Sequence, residues 1–241
     1  MIPADLLGRC DFGDGAAPLQ LAVSGGADSV AMALLAHAAG RDAVVWHVDH
    51  GLRETSAAEA DGVAALAGTL GWAFELRRVE LDPGPDLEAR ARAARYGALP
   101  PDVCVGHTAD DRAETVLLNL ARGAGLGGVA APMDRVRRPI LRLRRAETDA
   151  VCRAAGRSVA ADPMNADPAF TRVAMRLEVM PALAAAIGRD PVPLLNRHAD
   201  LAADALAVIR AAADALDPTD TAVLRDARGR WRPGVAGVDP P

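Results

Sequence analysis

Ser24-Gly25-Gly26-Ala27-Asp28-Ser29 follows the apolar run Leu19-Gln20-Leu21-Ala22-Val23 and precedes Val30-Ala31-Met32-Ala33-Leu34-Leu35. That order reads as strand, glycine turn and helix start. Two adjacent glycines let backbone N–H groups approach a ligand closely, and two serines add hydroxyl donors. The first turn of the helix adds unpaired N–H groups and the positive end of its dipole, a combination that suits an anion. Phosphate is the obvious one. The loop lacks the Gly-Lys-Ser/Thr of a Walker A loop, and it is not a Gly-x-Gly-x-x-Gly dinucleotide loop. The chain contains no lysine at all. The plainer alternative is a tight turn in which Asp28 or Ser29 caps the helix.

Outward from this stretch, strands and helices alternate. Asp42–Val48 reads as a buried parallel strand. Ser56-Ala57-Ala58-Glu59 is a capping box that opens a helix to Leu70, and Phe74–Leu81 is a third strand. A helix over Leu87–Leu99 stops at Pro100-Pro101, Asp102–Gly106 is strand four, and Ala109–Arg122 is helical. Arg138–Leu143 reads as a fifth strand, followed by a helix over Ala146–Ala155. Right-handed crossovers then give an α/β fold, a doubly wound parallel five-stranded sheet. Ligands of such sheets sit beyond the carboxyl ends of the strands. Ser24–Ser29, His47–Gly51 and His107–Asp111 all fall there.

Past Asp190-Pro191-Val192-Pro193 the character changes. An alanine-rich helix over Arg197–Leu216 leads to a tail rich in Pro, Gly, Asp and Arg, which reads as a flexible end. The expected division is a catalytic domain over residues 1–185 and a short helical C-terminal extension over 186–241. With 51% apolar residues among 241, a sizeable core can be buried. Three scattered cysteines without a Cys-x-x-Cys pair argue against a disulfide framework or a cysteine-held metal. No signal peptide and no apolar run of ~18 residues is apparent, so a cytoplasmic protein without membrane contact is expected. The net charge of -5 does not announce a nucleic-acid partner, so any such surface must be local. Six arginines and no acid between Arg135 and Arg145 are the best candidate for it.

Two further stretches carry chemistry. His47-Val48-Asp49-His50-Gly51-Leu52-Arg53 puts two histidines, an acid and an arginine at a strand end. In His107-Thr108-Ala109-Asp110-Asp111-Arg112-Ala113-Glu114-Thr115 the acids crowd the first turn of a helix. A Mg²⁺ carrying phosphates would neutralise them, while a capping box between Thr108 and Asp111 explains the same residues locally.

The Ser-Gly-Gly-x-Asp-Ser loop resembles the pyrophosphate loop of N-type ATP pyrophosphatases, and the ordered set of motifs resembles the tRNA(Ile)-lysidine synthetase family. In that family the loop is followed by His-Val-Asn-His-Gly-Leu-Arg, Glu-Ala-x-Ala-Arg-x-x-Arg-Tyr and Asp-Asp-Gln-x-Glu-Thr. This chain has His47–Arg53, then Glu88-Ala89-Arg90-Ala91-Arg92-Ala93-Ala94-Arg95-Tyr96, then Asp110–Thr115. Arg122-Gly123-Ala124-Gly125, Arg138-Pro139-Ile140-Leu141 and Asp162-Pro163-Met164-Asn165 with Arg172, Arg176 and Pro181-Ala182-Leu183 continue the match to about residue 185. Departures are Asp49 for Asn, Arg112 for Gln, Ala124 and Met164 for Ser, and Val173 for Asn.

The resemblance implies ATP-dependent joining of free L-lysine to C2 of the wobble cytidine (position 34) of an isoleucine tRNA with a CAU anticodon. AMP and pyrophosphate are released. It assigns Ser24, Gly25, Gly26, Ala27, Asp28 and Ser29 to ATP, with His47, His50 and Arg53 lining the nucleotide. It also gives Asp28 a Mg²⁺, and Asp28, Asp111 and Glu114 the catalytic work. Arg92, Arg95, Arg122, Arg144 and Arg145 are assigned to RNA, although Glu88 and Arg92 at i, i+4 also read as a solvated pair. A homodimer is left open. The alternatives are another tRNA-modifying enzyme built on the same loop, or an ATP-binding module without ligase activity.

Overall fold

The structure, a computed structural model, describes residues 3–49, 56–79, 87–130, 136–157, 171–214, 223–225 and 231–233. After a short helix α1 (Ala4–Leu7), the chain runs β1 (Leu19–Ala22), α2 (Ala27–Ala38), β2 (Ala43–Asp49), α3 (Ser56–Leu70) and β3 (Ala73–Arg78). It continues through α4 (Leu87–Ala98), β4 (Cys104–Val105), α5 (Ala109–Ala121), α6 (Leu126–Val129) and α7 (Arg145–Ala154). The strands lie in the order β3-β2-β1-β4, all parallel, with Leu21 opposite Val45 on one side and Cys104 on the other. The order reverses between β1 and β4, which makes their carboxyl ends the switch point where such sheets bind ligands.

The fifth strand expected over Arg138–Leu143 does not form. Its place is taken by one parallel bridge from Cys104 to Arg137, closed by Arg137 N to Val103 O and Val105 N to Arg137 O, both 2.9 Å. Pro139 has no N–H to continue the ladder, and the chain turns through Leu141 N to Arg138 O and Leu143 N to Ile140 O. Ile140 and Leu143, three apart as a turn requires, are both fully buried in the core.

That core joins Leu21, Val45, Met32 and Leu35, all without solvent exposure, to the small residues Ala31, Ala33 and Ala36 on α2. Alanines bring α2 close to the sheet, so the loop at its start is held against packed backbone. Gly106 shows how close: a Cβ there would lie 2.8 Å from the Asp28 backbone and from Ser29 Cα.

The C-terminal part comprises α8 (Thr171–Ala174), a π-helical turn over Met175–Val179, α9 (Met180–Ile187) and α10 (Pro191–Asp214). Ala199 and Ala202 of α10 are buried with Val116 of α5 and Val129 of α6. Arg112 pairs with Asp200 at 2.6 Å, and Asn196 Nδ2 donates to Ala109 O at 2.8 Å. The tail expected to be a flexible end contains a two-stranded antiparallel sheet, β5 (Val223–Arg225) with β6 (Trp231–Pro233). Val-Leu and Trp, set on either side of Gly229, have the composition of a hairpin.

Candidate active site

The loop after β1 braces itself. Ser29 Oγ donates to Gly26 O at 2.9 Å and accepts from Ser24 N at 3.2 Å, and Ser24 Oγ lies 3.2 Å away. Gly25 has φ of +90°, a conformation that favours glycine. Gly26, at the N-cap of α2, has no side chain to cap the helix. The first-turn N–H groups of this twelve-residue helix, which have no intrahelical acceptor, therefore face the mouth of the loop.

Asp28, on the first turn of α2, points at α7. Its Oδ1 accepts from the Thr148 hydroxyl, and its Oδ2 lies 3.8 Å from Arg145 Nε. Burial pushes the Asp28 carboxyl up to about 6; the Thr148 hydrogen bond and Arg145 oppose the shift, and the negative charge of Asp111 adds to it. A cation arriving beside Asp28 would relieve both the burial and the repulsion.

The acids of α5 enter the same cluster. Thr108 and Asp111 do form the capping box: Thr108 N and Thr108 Oγ1 donate to Asp111 Oδ2, each at 2.8 Å. The other oxygen, Oδ1, accepts from Arg145 at 3.0 Å and lies 3.6 Å from Arg172. The local and the functional readings of this residue therefore hold together, one on each oxygen. Burial raises the Asp111 carboxyl, but Arg145, the Thr108 amide and Arg172 outweigh it, so it ionises below the ordinary carboxylate range.

Glu114, one turn further, is 2% exposed and lies among three arginines. Arg145 donates to its Oε1 at 3.1 Å from both terminal nitrogens, and Arg172 Nε donates to Oε2 at 3.4 Å. Arg176 Nε lies 3.3 Å from Oε1 without hydrogen-bond alignment. Arg172 and Arg176, at i, i+4, reach one carboxylate from α8 and the π-helical turn.

Asp110 takes Arg144 bidentately at 3.0 Å and the Arg145 amide at 2.9 Å. Burial raises its carboxyl, but these bonds win and hold it below the ordinary range. Arg144 also pairs with Asp190. A cavity of about 220 Å³ opens here, lined by Asp110, Glu114 and Arg176 together with the apolar Met180 and Val192.

Asp28, Asp111 and Glu114 are thus brought together, through Arg145. Arg145, singled out in the sequence with Arg144 as part of an RNA-facing run, directs its guanidinium group at these three acids, and Arg144 directs its own at Asp110 and Asp190. His47 is buried at the end of β2, its Nδ1 2.8 Å from Val23 O. A carbonyl only accepts, so Nδ1 carries the proton and the ring braces the strand that leads into the loop. His107 and Arg138, bonded to one another at 3.0 Å, lie beside the cluster after β4. Arg95 is exposed on α4. Arg122 is exposed at the far end of α5, about 18 Å from Asp110 at 1.5 Å per residue. His50 and Arg53 lie outside the described residues, as does the side chain of Arg92. Among the described residues no group of three or more His, Cys, Asp or Glu is arranged to hold a metal ion. Nor is any helix of the described residues long and apolar enough to cross a membrane.

Thr148 and Arg176 were not singled out as site residues. The signal for Thr148 was a lone polar residue on the buried stripe Thr148, Val151 and Cys152 of α7.

The PP-loop domain family matches residues 11–183. A tRNA(Ile)-lysidine synthase from Salinispora tropica is 44% identical over 83% of this chain and 67% of its own length. One from Salinispora arenicola is 42% identical over 93% of this chain and 73% of its own. One from Thermus thermophilus is 46% identical over 69% of this chain and 36% of its own. Among solved structures, a U34-tRNA thiolase from Methanococcus maripaludis superposes with a TM-score of 0.60 at 15% identity, covering 82% of this chain and 76% of that one. At that identity the likeness speaks for the fold, a PP-loop α/β sheet. With the relatives more than 40% identical over most of its length, the chain belongs to the tRNA(Ile)-lysidine synthase family of PP-loop ATP-binding proteins.

Proposed function

We propose that this chain activates the wobble cytidine (position 34) of CAU-anticodon isoleucine tRNA with ATP and joins free lysine to C2 of that base. The cytidine C2 oxygen takes the adenylate and pyrophosphate leaves; the lysine ε-amine then attacks C2 and AMP departs. The observation that carries this reading is the meeting, at the sheet's switch point, of the Ser24–Ser29 loop with Asp111 and Glu114 through one arginine, Arg145.

The geometry supports the following roles. Backbone N–H groups and the hydroxyl of Ser24 receive the pyrophosphate, a preorganised set of donors for charge that develops on the leaving group. Arg145 reaches Asp28, Asp111 and Glu114 from the middle of the cluster. It can trade one acid for a phosphate oxygen without losing all its partners. A Mg²⁺ bound with the nucleotide would screen the phosphate charge. One carboxylate, Asp28, whose Oδ1 takes the Thr148 hydroxyl and whose Oδ2 lies 3.8 Å from Arg145 Nε, would with substrate oxygens and water completing the shell suit Mg²⁺, which dehydrates reluctantly. Asp111, held ionised well below neutral pH by two arginines, is a weak base, so its work is to orient the cationic amine rather than to deprotonate it. Beside it, the cavity offers carboxylates and Arg176 to the charged ends of lysine, and Met180 and Val192 to its aliphatic stem.

Residues 1–185 then form the catalytic domain and 186–241 a helical extension, the division falling inside α9. Arg95 and Arg122, both exposed, are assigned to RNA, with a cytoplasmic setting. The test is transfer of radiolabelled lysine into a CAU-anticodon isoleucine tRNA transcript with ATP and Mg²⁺. Wild type should label the RNA, and Asp111→Ala, checked for a normal melting transition, should lose at least about a hundredfold of the rate, roughly 2.7 kcal/mol of barrier. No label with wild type, while ATP still binds, would favour the ATP-binding module.

A further inference from the structure

Thr148 is fully buried on α7, one turn past the start of that helix. Its hydroxyl lies within hydrogen-bond reach of two acceptors, Asp28 Oδ1 and, at 2.8 Å, Arg145 O. A hydroxyl carries one hydrogen, so it serves one of them at a time. One turn further, Cys152 Sγ donates to Ala27 O at 3.3 Å. α7 therefore reaches the first turn of α2 twice, once at the backbone of Ala27 and once at the carboxylate of Asp28.

We propose that Thr148 is a positioning residue for the nucleotide chemistry: its hydroxyl holds the Asp28 carboxylate in the rotamer that meets a phosphate-bound cation. The hydroxyl keeps its bond to Oδ1 in the loaded state, while Oδ2, 3.8 Å from Arg145 Nε, is the oxygen that turns to the cation. The inference rests on the reading of Asp28 as the Mg²⁺-facing residue. Packing alone would ask only for shape, and valine keeps the shape of threonine while losing the hydroxyl.

The experiment is calorimetric binding of ATP, without tRNA or lysine, once with Mg²⁺ and once with excess chelator. It compares wild type, Thr148→Val, Thr148→Ser and Asp28→Asn. Wild type and Thr148→Ser should bind more tightly with Mg²⁺ to the same extent within about twofold. Thr148→Val should lose about tenfold of the Mg²⁺-dependent gain, the scale of one hydrogen bond to a charged group, with binding in chelator unchanged. Should the valine variant not fold, Thr148→Ala deletes the same hydroxyl and is judged by the same result. If Thr148→Val matches wild type while Asp28→Asn loses the gain, the role of Thr148 falls and the reading of Asp28 stands. If Asp28→Asn keeps the full gain, that reading falls and takes the inference with it. If serine is as weak as valine, Thr148 serves packing and the inference is overturned.

Discussion

Glu114→Gln isolates the electrostatics of the site. The wild-type carboxylate is 2% exposed and is met by Arg145, Arg172 and Arg176 within 3.1 to 3.4 Å. Glutamine keeps the shape but removes the charge, leaving three guanidinium groups around a neutral amide. Breaking one partner out of a buried ion pair costs about 3–5 kcal/mol. Two facts reduce that figure. The arginine side chains are 24%, 35% and 26% exposed, so water takes up part of the loss. Asp111 still faces Arg145 and Arg172. About 2 kcal/mol is therefore expected, or a fall of about 4–8 °C in melting temperature for a chain of this size. The assay is thermal unfolding followed by circular dichroism at pH 7, in low salt and again in 0.5 M NaCl. A buried cluster is weakly screened, so the fall should persist in salt. Arg176 pairs only with Glu114 among the contacts described, so adding Arg176→Gln to Glu114→Gln should recover part of the loss. A glutamine variant melting within about 1 °C of wild type, or a loss that vanishes in salt, would show the cluster to be a solvated surface and refute the reasoning.

Asp28→Asn should stabilise the nucleotide-free protein at alkaline pH. The Asp28 carboxyl is raised from 3.8 to about 6 by burial. Between those values the folded protein keeps a proton that the unfolded chain has released, so this group's stabilising contribution is present below about pH 4 and lost as pH rises through about 6. Asparagine does not titrate; the variant should gain up to about 3 kcal/mol over wild type at pH 8 and almost nothing at pH 4, read from urea melts at both. An equal gain at both pH values would contradict the buried-charge account. Gly106→Ala should disrupt the site from outside it. The added methyl meets loop backbone at 2.8 Å, so β4 or the loop must shift, with about 1–3 kcal/mol of destabilisation and weakened ATP binding by calorimetry. Unchanged ATP affinity would mean the loop yields without cost.

Much of this molecule was legible in local sequence. Strand, loop and helix around Ser24–Ser29 follow from an apolar run, two glycines and a second apolar run, all within seventeen residues. The Thr108–Asp111 capping box needs only its own four residues. The expected fifth strand has a local explanation too: Arg138–Leu143 is a short, largely apolar stretch of strand length, but Pro139 cannot donate, and the buried positions Ile140 and Leu143, three apart, suit a turn. The hairpin in the tail lay beneath a composition that reads as unstructured, because two three-residue strands carry little periodic signal.

The arginines were harder, because charge partners are set by topology. Arg144 and Arg145 lie in a run without an acid, and in sequence nothing distinguishes them from a basic surface. Their acids are 31 to 35 positions earlier, on α5. The two helices meet because the chain that enters α7 runs beside β4, the strand that leads into α5, through the Cys104–Arg137 bridge and the bond from Ala109 N to Leu143 O. Once that is so, the chemistry is constrained. Four acids, Asp28, Asp110, Asp111 and Glu114, gathered at a helix start and a phosphate loop, would repel any phosphate; Arg144, Arg145, Arg172 and Arg176 bring the cluster to balance. Under the proposed function, a site balanced in this way would receive ATP and a lysine ammonium in turn by exchanging partners within the cluster. Arg144 and Arg145 of the run thereby direct their charge at acids of the cluster rather than at solvent.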